Sequence, residues 1–167
     1  MNAQTRIDEV DARLLEMLQE NARTSQHDLA LAVGLSSPAV GERLRKLEER
    51  GIIRRFSAVL DPKLLGRDVT AFLAVGIAGS AYYEEFRERV LAHPEVLECH
   101  SSTGQGSHLL KVRTDSTSGL EGLLAEIQSW PGVQWTNTSI VLSTVKETAE
   151  LELRPRAPAP AASAPKR

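Results

Sequence analysis

The sequence lacks a long apolar run, a set of cysteines and a strong charge of either sign. No apolar stretch reaches the roughly 18 residues that span a bilayer, so we expect no membrane association. The opening residues, MNAQTRIDEVD, contain no apolar signal-peptide core, which favours a cytoplasmic location. The single cysteine, Cys99, excludes an internal disulfide framework. Its place in the apolar run VLECH predicts a buried thiol.

Sequence signatures of catalysis and of metal binding are also missing. The four histidines follow no metal-ligand spacing, although His100 and His108 flank a short turn. There is no Gly-Lys-Ser/Thr phosphate loop and no nucleophile elbow. The glycine-containing stretch GQGSH lies between two predicted strands and does not match a dinucleotide-binding motif. We therefore expect no cofactor, no bound metal and no enzymatic activity.

The composition is that of an ordinary globular protein with an uneven charge distribution. The 167 residues are 41% hydrophobic and 25% charged, which suits one or two small domains. The net charge is −2 overall, but residues 36–55 carry +3, residues 67–153 carry −6 and residues 154–167 carry +4. A nucleic-acid-binding protein needs a local basic face and not a basic total. Only residues 36–55 and the C-terminal residues offer one.

The first sixty residues have the pattern of three short helices. Val10, Leu14 and Leu18 recur at helical spacing. Ser25 and Asp28 have capping-box spacing at the start of a second helix. The turn sequence VGLS leads into the third helix. Three helices with a short turn between the last two are typical of a helix-turn-helix unit, which places its last helix in the DNA major groove.

The third helix begins in SSPAVGERLRKLEERG and ends at Gly51. Pro38 favours the first helical position, which predicts Ser37 as the N-cap, with Ser36 as the alternative. The predicted buried stripe of this helix consists of Val40, Leu44 and Leu47. The following IIRRFSAVL is rich in branched and apolar residues and predicts a strand.

A basic stripe accompanies the apolar face of the third helix. Arg43, Lys46 and Arg50 recur at i, i+3 and i+7, and such a stripe can neutralise backbone phosphates while arginine can also grip guanine. Interleaved glutamates leave a simple solvated face as the alternative interpretation. Arg43 and Lys46 are the first choices for DNA contact. The full set of predicted DNA-binding residues is Ser36, Ser37, Pro38, Arg43, Lys46, Arg50, Arg54 and Arg55.

The second half of the chain predicts the element order βαββαβ. Strand patterns occur in VTAFLAVGI, VLECHSST, HLLKVRT and VQWTNTSIVLSTV, and helical patterns occur in YYEEFRERVLAHP and LEGLLAEIQSW. This order favours a ferredoxin-like sheet with both helices on one face. The first strand is apolar on both of its faces, and two helices on one side cannot cover both. We therefore expect a partner chain on the other face, that is, a homo-oligomer.

These patterns divide the chain into four parts. The predicted fold class is α+β: a helix-turn-helix domain, winged-helix-like, over residues 1–60 and a ferredoxin-like effector-binding and oligomerisation domain over residues 69–150, joined by a linker at 61–68. Residues 151–167 are rich in proline and alanine and cannot bury enough apolar surface to offset their ordering entropy, which predicts a disordered tail. The tail is either a solubilising extension or a non-specific DNA contact.

The combination of motifs over residues 7–148 resembles the Lrp/AsnC family of transcription regulators. The resemblance rests on the GLS turn, the helix with Arg-x-x-x-Leu-Glu, the ECH strand and the PGV turn, which occur in the family's order. It implies a helix-turn-helix joined to an effector-binding sheet domain. It also implies binding to double-stranded DNA, homodimers that often assemble into octamers, and a small-molecule effector such as an amino acid or a related metabolite.

The loop between the second and third predicted strands departs from the family pattern. Where the family usually has Gly-Asp-x-Asp-Tyr, this chain has Gly104-Gln105-Gly106-Ser107-His108, without either acid. A serine offers a neutral hydrogen bond in place of a carboxylate that can pair with an ammonium group. The predicted effector-binding residues are Thr103, Gly104, Ser107, His108, Thr136 and Thr138.

Three other interpretations remain open at this point. The altered loop is also compatible with a vestigial site that binds nothing. A sensor or assembly module without DNA binding is a second alternative, although it gives no reason for the basic stripe. A sirohaem-decarboxylase-like enzyme is the third, and the net charge of −6 over residues 67–153 disfavours the basic cleft that a tetrapyrrole would need.

Overall fold

The computed structural model describes residues 7–153, which form two compact units. The first, here called the helical unit, combines residues 7–59 with residues 148–153. The second, the sheet unit, consists of residues 60–147. The two units divide between residues 59 and 60 and again between residues 147 and 148. The predicted tail begins at residue 151, and its residues 151–153 lie in the helical unit. Residues 154–167 lie outside the described residues.

The helical unit contains the three predicted helices, α1 (Glu9–Glu20), α2 (Gln26–Val33) and α3 (Ser37–Glu49). Each begins at a capping side chain. Asp8 caps α1 and Ser25 caps α2, each accepting a hydrogen bond from a backbone N–H three residues on. Gly34 ends α2 at a φ of 68°, a left-handed conformation that glycine adopts without steric cost.

The N-cap of α3 is Ser36, which confirms the alternative prediction, and the first choice, Ser37, was wrong. The Ser36 side chain accepts a hydrogen bond from the backbone N–H of Ala39, and Ser37 is already helical. Proline lacks an N–H and is tolerated anywhere in the first turn, so Pro38 alone does not determine which serine caps the helix.

The core of the helical unit is built from the predicted apolar stripes. Val40, Leu44 and Leu47 of α3 pack with Leu14 and Leu29 of the other two helices. Leu153, from the C-terminal part of the unit, also packs against this cluster.

The strand predicted over residues 52–60 is absent from the described structure. The backbone N–H groups of Ile52 and Ile53 both donate to the carbonyl of Leu47, which turns the chain back onto the end of α3. Both isoleucines then pack against the helical core. Beyond them the chain is exposed, with Phe56 half-exposed and Val59 fully exposed. A strand needs a hydrogen-bonded neighbour, and no described residue of this chain provides one here.

The sheet unit confirms the predicted ferredoxin-like order. It comprises β1 (Val69–Ile77), a 3₁₀ turn (Ser80–Tyr82), α4 (Tyr83–Ala92), β2 (Val96–Ser101), β3 (His108–Thr114), α5 (Thr117–Ser129) and β4 (Val133–Ile140). The sheet order is β2-β3-β1-β4, and all paired strands are antiparallel. β4 is shorter than the predicted segment, which extended to residue 145. The predicted linker contains a turn, closed by a hydrogen bond from Arg67 N–H to the Pro62 carbonyl.

Both helices of the sheet unit cover the same face of the sheet. Ala71, Leu73 and Val75 of β1 are fully buried against Phe86 of α4 and Ile127 of α5. Successive strand residues point to opposite faces, so the residues between them lie on a face without helices, here called the open face.

The open face carries large apolar side chains that are partly exposed. Phe72 of β1 is 40% exposed, and Leu109 of β3 and Trp135 of β4 are exposed to a similar degree. The residues of β1 are therefore apolar on both faces of the strand for two different reasons. One face is buried under α4 and α5, and no helix among the described residues covers the other. The predicted burial of Cys99 was wrong, because this residue lies on the edge strand β2 and is exposed.

Candidate DNA interface and effector site

The start of α3 is open to solvent, although Pro38 has no backbone N–H and the Ala39 N–H already donates to the Ser36 hydroxyl. Ser36 and Pro38 are exposed and Ser37 is half-buried, so the first turn of the helix is accessible. The positive end of the helix dipole favours a phosphate group near such a turn. The buried stripe of Val40, Leu44 and Leu47 fixes which side of α3 faces solvent.

Arg43 does not present a free cation at the surface of α3. Its Nη1 donates hydrogen bonds of 2.7 Å to the carboxylates of both Asp8 and Asp11, at the start of α1. These bonds raise the pKa of Arg43. The pKa of Asp8 is lowered, mainly by the hydrogen bond from the backbone N–H of Asp11 and further by the bond from Arg43. Arg43 thus joins α3 to α1. The sequence spacing could not show this, because the partners lie 35 and 32 residues away.

The exposed cations of α3 are Arg45 and Lys46. The Nζ atom of Lys46 lies 3.4 Å from Oε1 of Glu42. Arg45, which the sequence analysis missed because it lies off the selected stripe, pairs with Glu42 and with Glu49. Its hydrogen bonds lower the pKa of Glu42 to about 2. All four side chains are largely exposed, so these pairs exchange readily with other partners.

The remaining predicted DNA-binding residues follow α3. Arg50 is the C-cap residue of the helix, and Arg54 and Arg55 lie on the exposed segment beyond it. Because that segment is not a strand here, Arg54 and Arg55 do not follow the face-to-face alternation of strand residues.

The predicted effector loop joins β2 to β3 and is tied to the end of β1. Ser102 N–H donates to the Ser107 carbonyl at 2.9 Å, which closes the loop. Ser107 N–H and its hydroxyl both donate to the Val75 carbonyl, at 2.9 and 3.3 Å. Thr103 and Gly104 lie at the exposed tip. The loop is therefore anchored at Ser107 and open at its tip.

His108 points toward the helices and is buried. Its ring packs edge-on against Tyr83, with 5.0 Å between ring centroids, and against Phe86 at 4.9 Å. Its Nδ1 lies 3.0 Å from the Ser107 hydroxyl. Burial lowers the pKa of His108, which favours the neutral ring.

The structure brings only some of the predicted effector residues together. His108 and Thr136 both pair with Val75, on its two sides, so they lie at the same level of the sheet. The Thr136 hydroxyl accepts a 2.7 Å hydrogen bond from Gln128 of α5. Thr138 pairs with Leu73, which lies two residues before Val75 on β1 and is therefore further from the loop.

Trp135 is a neighbour of the loop that the sequence analysis missed. Its indole ring covers Gly76, where any Cβ would collide with it. Gly106 of the loop has a φ of 91°, and a Cβ there would lie 2.8 Å from the Val75 carbonyl oxygen and 3.2 Å from the Trp135 ring. Glycine inside a strand often marks the close approach of another group, so Gly76 in β1 was the feature of the sequence that could have indicated a ring packed against the strand.

Residues 7–153, which the structure describes, contain no group of three or more His, Cys, Asp or Glu side chains arranged to hold a metal ion. None of their helices is both long and apolar enough to cross a membrane.

Comparison with known proteins defines the class. Residues 7–54 match the winged helix-turn-helix DNA-binding family and residues 70–151 match the Lrp/AsnC ligand binding domain. An HTH-type transcriptional regulator of Pyrococcus horikoshii is 35% identical over 148 residues, covering 89% of this chain and 97% of the relative. The proline dehydrogenase transcriptional activator of Rhizobium radiobacter is 40% identical over 145 residues, covering 85% of this chain and 93% of the relative.

A solved structure agrees with these matches. The transcriptional regulator of Neisseria meningitidis in complex with L-Met superposes with a TM-score of 0.83 at 33% identity, covering 89% of this chain and 97% of that one. The fold and the two domains are those of a transcription regulator with an effector-binding domain and not of an enzyme. The chain belongs to the Lrp/AsnC family.

Proposed function

We propose that this regulator reads a specific DNA sequence with α3, as a homodimer joined through the open faces of two sheets. The observation that supports this most directly is the accessible first turn of α3 followed by the exposed cations Arg45 and Lys46. The capped turn suits a backbone phosphate, and the cations beyond it suit further phosphates or a guanine edge. Arg50, Arg54 and Arg55 extend the basic surface past the end of the helix.

The dimer supplies the second reading helix. The exposed apolar side chains Phe72, Leu109 and Trp135 lie on adjacent strands of one sheet face, and a second copy of the same face would bury them. A two-fold dimer places two copies of α3 on one duplex, so the operator would be pseudo-palindromic with half-sites one or two helical turns apart. Assembly of dimers into an octamer is part of the proposal on the strength of the family resemblance.

The effector in this proposal is an amino acid or a related metabolite bound near the loop of residues 102–108. The relative from Neisseria meningitidis binds L-Met. In this chain the exposed tip of the loop offers the hydroxyl of Thr103, while the Ser107 hydroxyl is held by the Val75 carbonyl and the His108 ring is buried against α4. None of the loop residues 102–108 carries a carboxylate that could pair with an ammonium group. Calorimetric titration with the twenty amino acids and the common keto acids tests this part. If none of these compounds binds, the result would favour a vestigial site.

The DNA-binding part is tested by titrating the full chain onto the upstream region of its own gene and onto a random duplex, at two salt concentrations. We expect tighter binding to the upstream DNA, and weaker binding to both duplexes at the higher salt. Lys46→Gln should weaken binding and reduce the salt dependence. The matched control is Lys63→Gln, an exposed lysine in the turn before β1. Equal affinity for the two duplexes at both salts would overturn sequence-specific recognition.

A further inference from the structure

The outward face of α3 carries a row of four charged residues. Glu42, Arg45, Lys46 and Glu49 occupy positions i, i+3, i+4 and i+7, so their side chains share one face of the helix. This face lies opposite the buried stripe, because consecutive residues of an α-helix are about 100° apart around its axis. Two carboxylates and two cations cancel, so the row is neutral although residues 36–55 carry +3. Neutralising phosphates would require the cations alone, so the carboxylates need a separate explanation.

Arg45 is held by the carboxylates on either side of it in this row. Its Nε donates to Glu42 Oε2 at 3.0 Å and its Nη2 donates to Glu42 Oε1 at 2.7 Å, a two-point contact with one carboxylate. Its Nη1 donates to Glu49, one turn further along the helix. Exposed ion pairs of this kind stabilise a fold only slightly. Their main consequence here is that they favour one orientation of the guanidinium group.

The held guanidinium retains two N–H groups for a ligand. Arginine has five N–H donors, one on Nε and two on each terminal nitrogen. Within the described chain, the bonds to Glu42 and Glu49 leave one N–H on Nη1 and one on Nη2. Guanine presents two acceptors, O6 and N7, on its major-groove edge, and an arginine that contacts both is the commonest base-specific contact. Arg45 therefore has enough donors to contact a guanine while it keeps its carboxylate partners.

The carboxylate of Glu42 makes a guanine a better partner for Arg45 than a phosphate. A guanine edge is uncharged and can lie beside a carboxylate, whereas a phosphate brings a second negative charge against it. Glu42 is ionised at neutral pH, because the hydrogen bond from Arg45 lowers its pKa to about 2. Lys46 makes a single contact with Glu42, at 3.4 Å, and its flexible stem can turn toward a phosphate. The two cations of the row thus suit different parts of the DNA.

We propose that Glu42 is a specificity determinant of α3, which holds Arg45 for a guanine edge and disfavours a phosphate at the same side chain. This inference rests on the proposed function, since it takes the outward face of α3 to be the one that enters the major groove. Arg45 then reads a base, and Lys46 and the arginines after the helix supply the affinity for DNA in general. Loss of the Glu42 carboxylate should therefore strengthen binding to any duplex and weaken the preference for one sequence.

Binding titrations of the full chain test the role of Arg45 on three kinds of duplex. These are the upstream region, copies of it in which single G·C pairs are replaced by A·T, and a random duplex. We expect the wild type to lose about tenfold in affinity at one G·C pair of each half-site. Arg45→Lys keeps the charge and removes the two-point contact, so it should bind that substituted duplex as well as the original. Its affinity for the random duplex should change less than about twofold, because the charge is kept.

The role of Glu42 is tested by Glu42→Gln on the upstream and random duplexes at two salt concentrations. This variant should bind the random duplex more tightly and with a steeper salt dependence, because Arg45 is then free to neutralise a phosphate. Its preference for the upstream duplex should fall about fivefold, as part of the discrimination by Arg45 is lost. Glu48→Gln removes the same charge from an exposed residue of α3 outside the row and should leave that preference unchanged. Circular dichroism should show that all three variants fold like the wild type.

Three results would overturn the inference while leaving the proposed function standing. In the first, Arg45→Lys remains as sensitive as the wild type to every substituted pair, so Arg45 reads no base. In the second, Glu42→Gln changes the affinity for both duplexes by the same factor, so the carboxylate acts only through net charge. In the third, Glu42→Gln becomes insensitive to a pair that Arg45→Lys still recognises, so Glu42 itself reads a base. A wild-type chain without preference for the upstream duplex would instead overturn the proposed function and this inference together.

Discussion

The Nη1 atom of Arg43 lies 2.7 Å from a carboxylate oxygen of Asp11, whose side chain is nearly buried on helix α1. Arg43→Ala removes this cation and leaves the buried carboxylate without its charged partner. We expect the free energy of unfolding to fall by about 1–2 kcal/mol, below the value for a fully buried pair because Arg43 is partly exposed. Urea unfolding followed by circular dichroism measures the change. Arg45→Ala, at an exposed arginine of the same helix, should leave stability almost unchanged.

The same variant decides the role of Arg43 on DNA. If Arg43→Ala proves as stable as the wild type while its affinity for the upstream duplex falls, Arg43 exchanges its carboxylate partners for DNA. The ion pair seen here would then be only a feature of the free protein.

The N-cap of α3 gives a prediction with a matched neighbour. Ser36→Ala removes the acceptor of the Ala39 N–H, and we expect a loss of about 1 kcal/mol in the free energy of unfolding. Ser37→Ala, one residue on and already inside the helix, should cost clearly less. Chemical denaturation of both variants measures the difference. Equal losses would mean that both hydroxyls cap the helix in solution.

Burial of His108 predicts a loss of stability on mild acidification. Its pKa is lowered in the folded state, so between that value and the ordinary value near 6.5 the unfolded chain binds a proton that the folded chain does not. Stability is therefore fully present above about pH 6.5 and declines as the pH falls below it. Urea midpoints at pH 7.5, 6.5 and 5.5, followed by the fluorescence of Trp130 and Trp135 together, should show the decline.

The assignment of that pH dependence to His108 needs a paired variant. His108→Gln should flatten the dependence between pH 6.5 and 5.5, even if it lowers stability overall. His27→Gln, at an exposed histidine of α2, should leave the slope as it is in the wild type. An unchanged slope in His108→Gln would assign the effect to another group.

The open face predicts how the oligomer will respond to a buried charge. Phe72→Asp replaces an apolar ring of the proposed dimer interface with a carboxylate, whose burial costs hydration even beside its cross-strand neighbour Lys111. We expect sedimentation velocity to show monomers at concentrations where the wild type is dimeric or larger. Leu64→Asp, in the exposed turn before β1, is the control and should sediment like the wild type. A dimer that persists in Phe72→Asp would move the interface to another surface.

Short-range patterns predicted most of the fold. The helices α1 to α3 follow from apolar spacing and capping residues, and the order of the sheet unit follows from alternating runs separated by prolines and glycines. The two apolar alternations of β1 correctly indicated an uncovered face. These features depend on neighbours within a few residues, which a sequence displays directly.

The features that the sequence could not show depend on contacts between distant residues. IIRRFSAVL has the composition of a strand, but Ile52 and Ile53 pack instead against a helical core that includes Leu14 and Leu29, more than twenty residues earlier in the chain. Arg43 looked available for DNA because Asp8 and Asp11 lie more than thirty residues before it. Gln19 showed no sign of its partner Leu151, 132 residues away. In each case the decisive neighbour is set by the tertiary fold.

The discontinuous helical unit also governs how the protein can be divided. A fragment that stops at residue 60 keeps all three helices but omits residues 148–153, and with them Leu153 from the hydrophobic cluster. In sequence, the sheet unit is an insertion within the DNA-binding unit. A chimera that exchanges effector specificity between relatives should therefore graft residues 60–147 alone, leaving the residues that follow with the helices on which they pack.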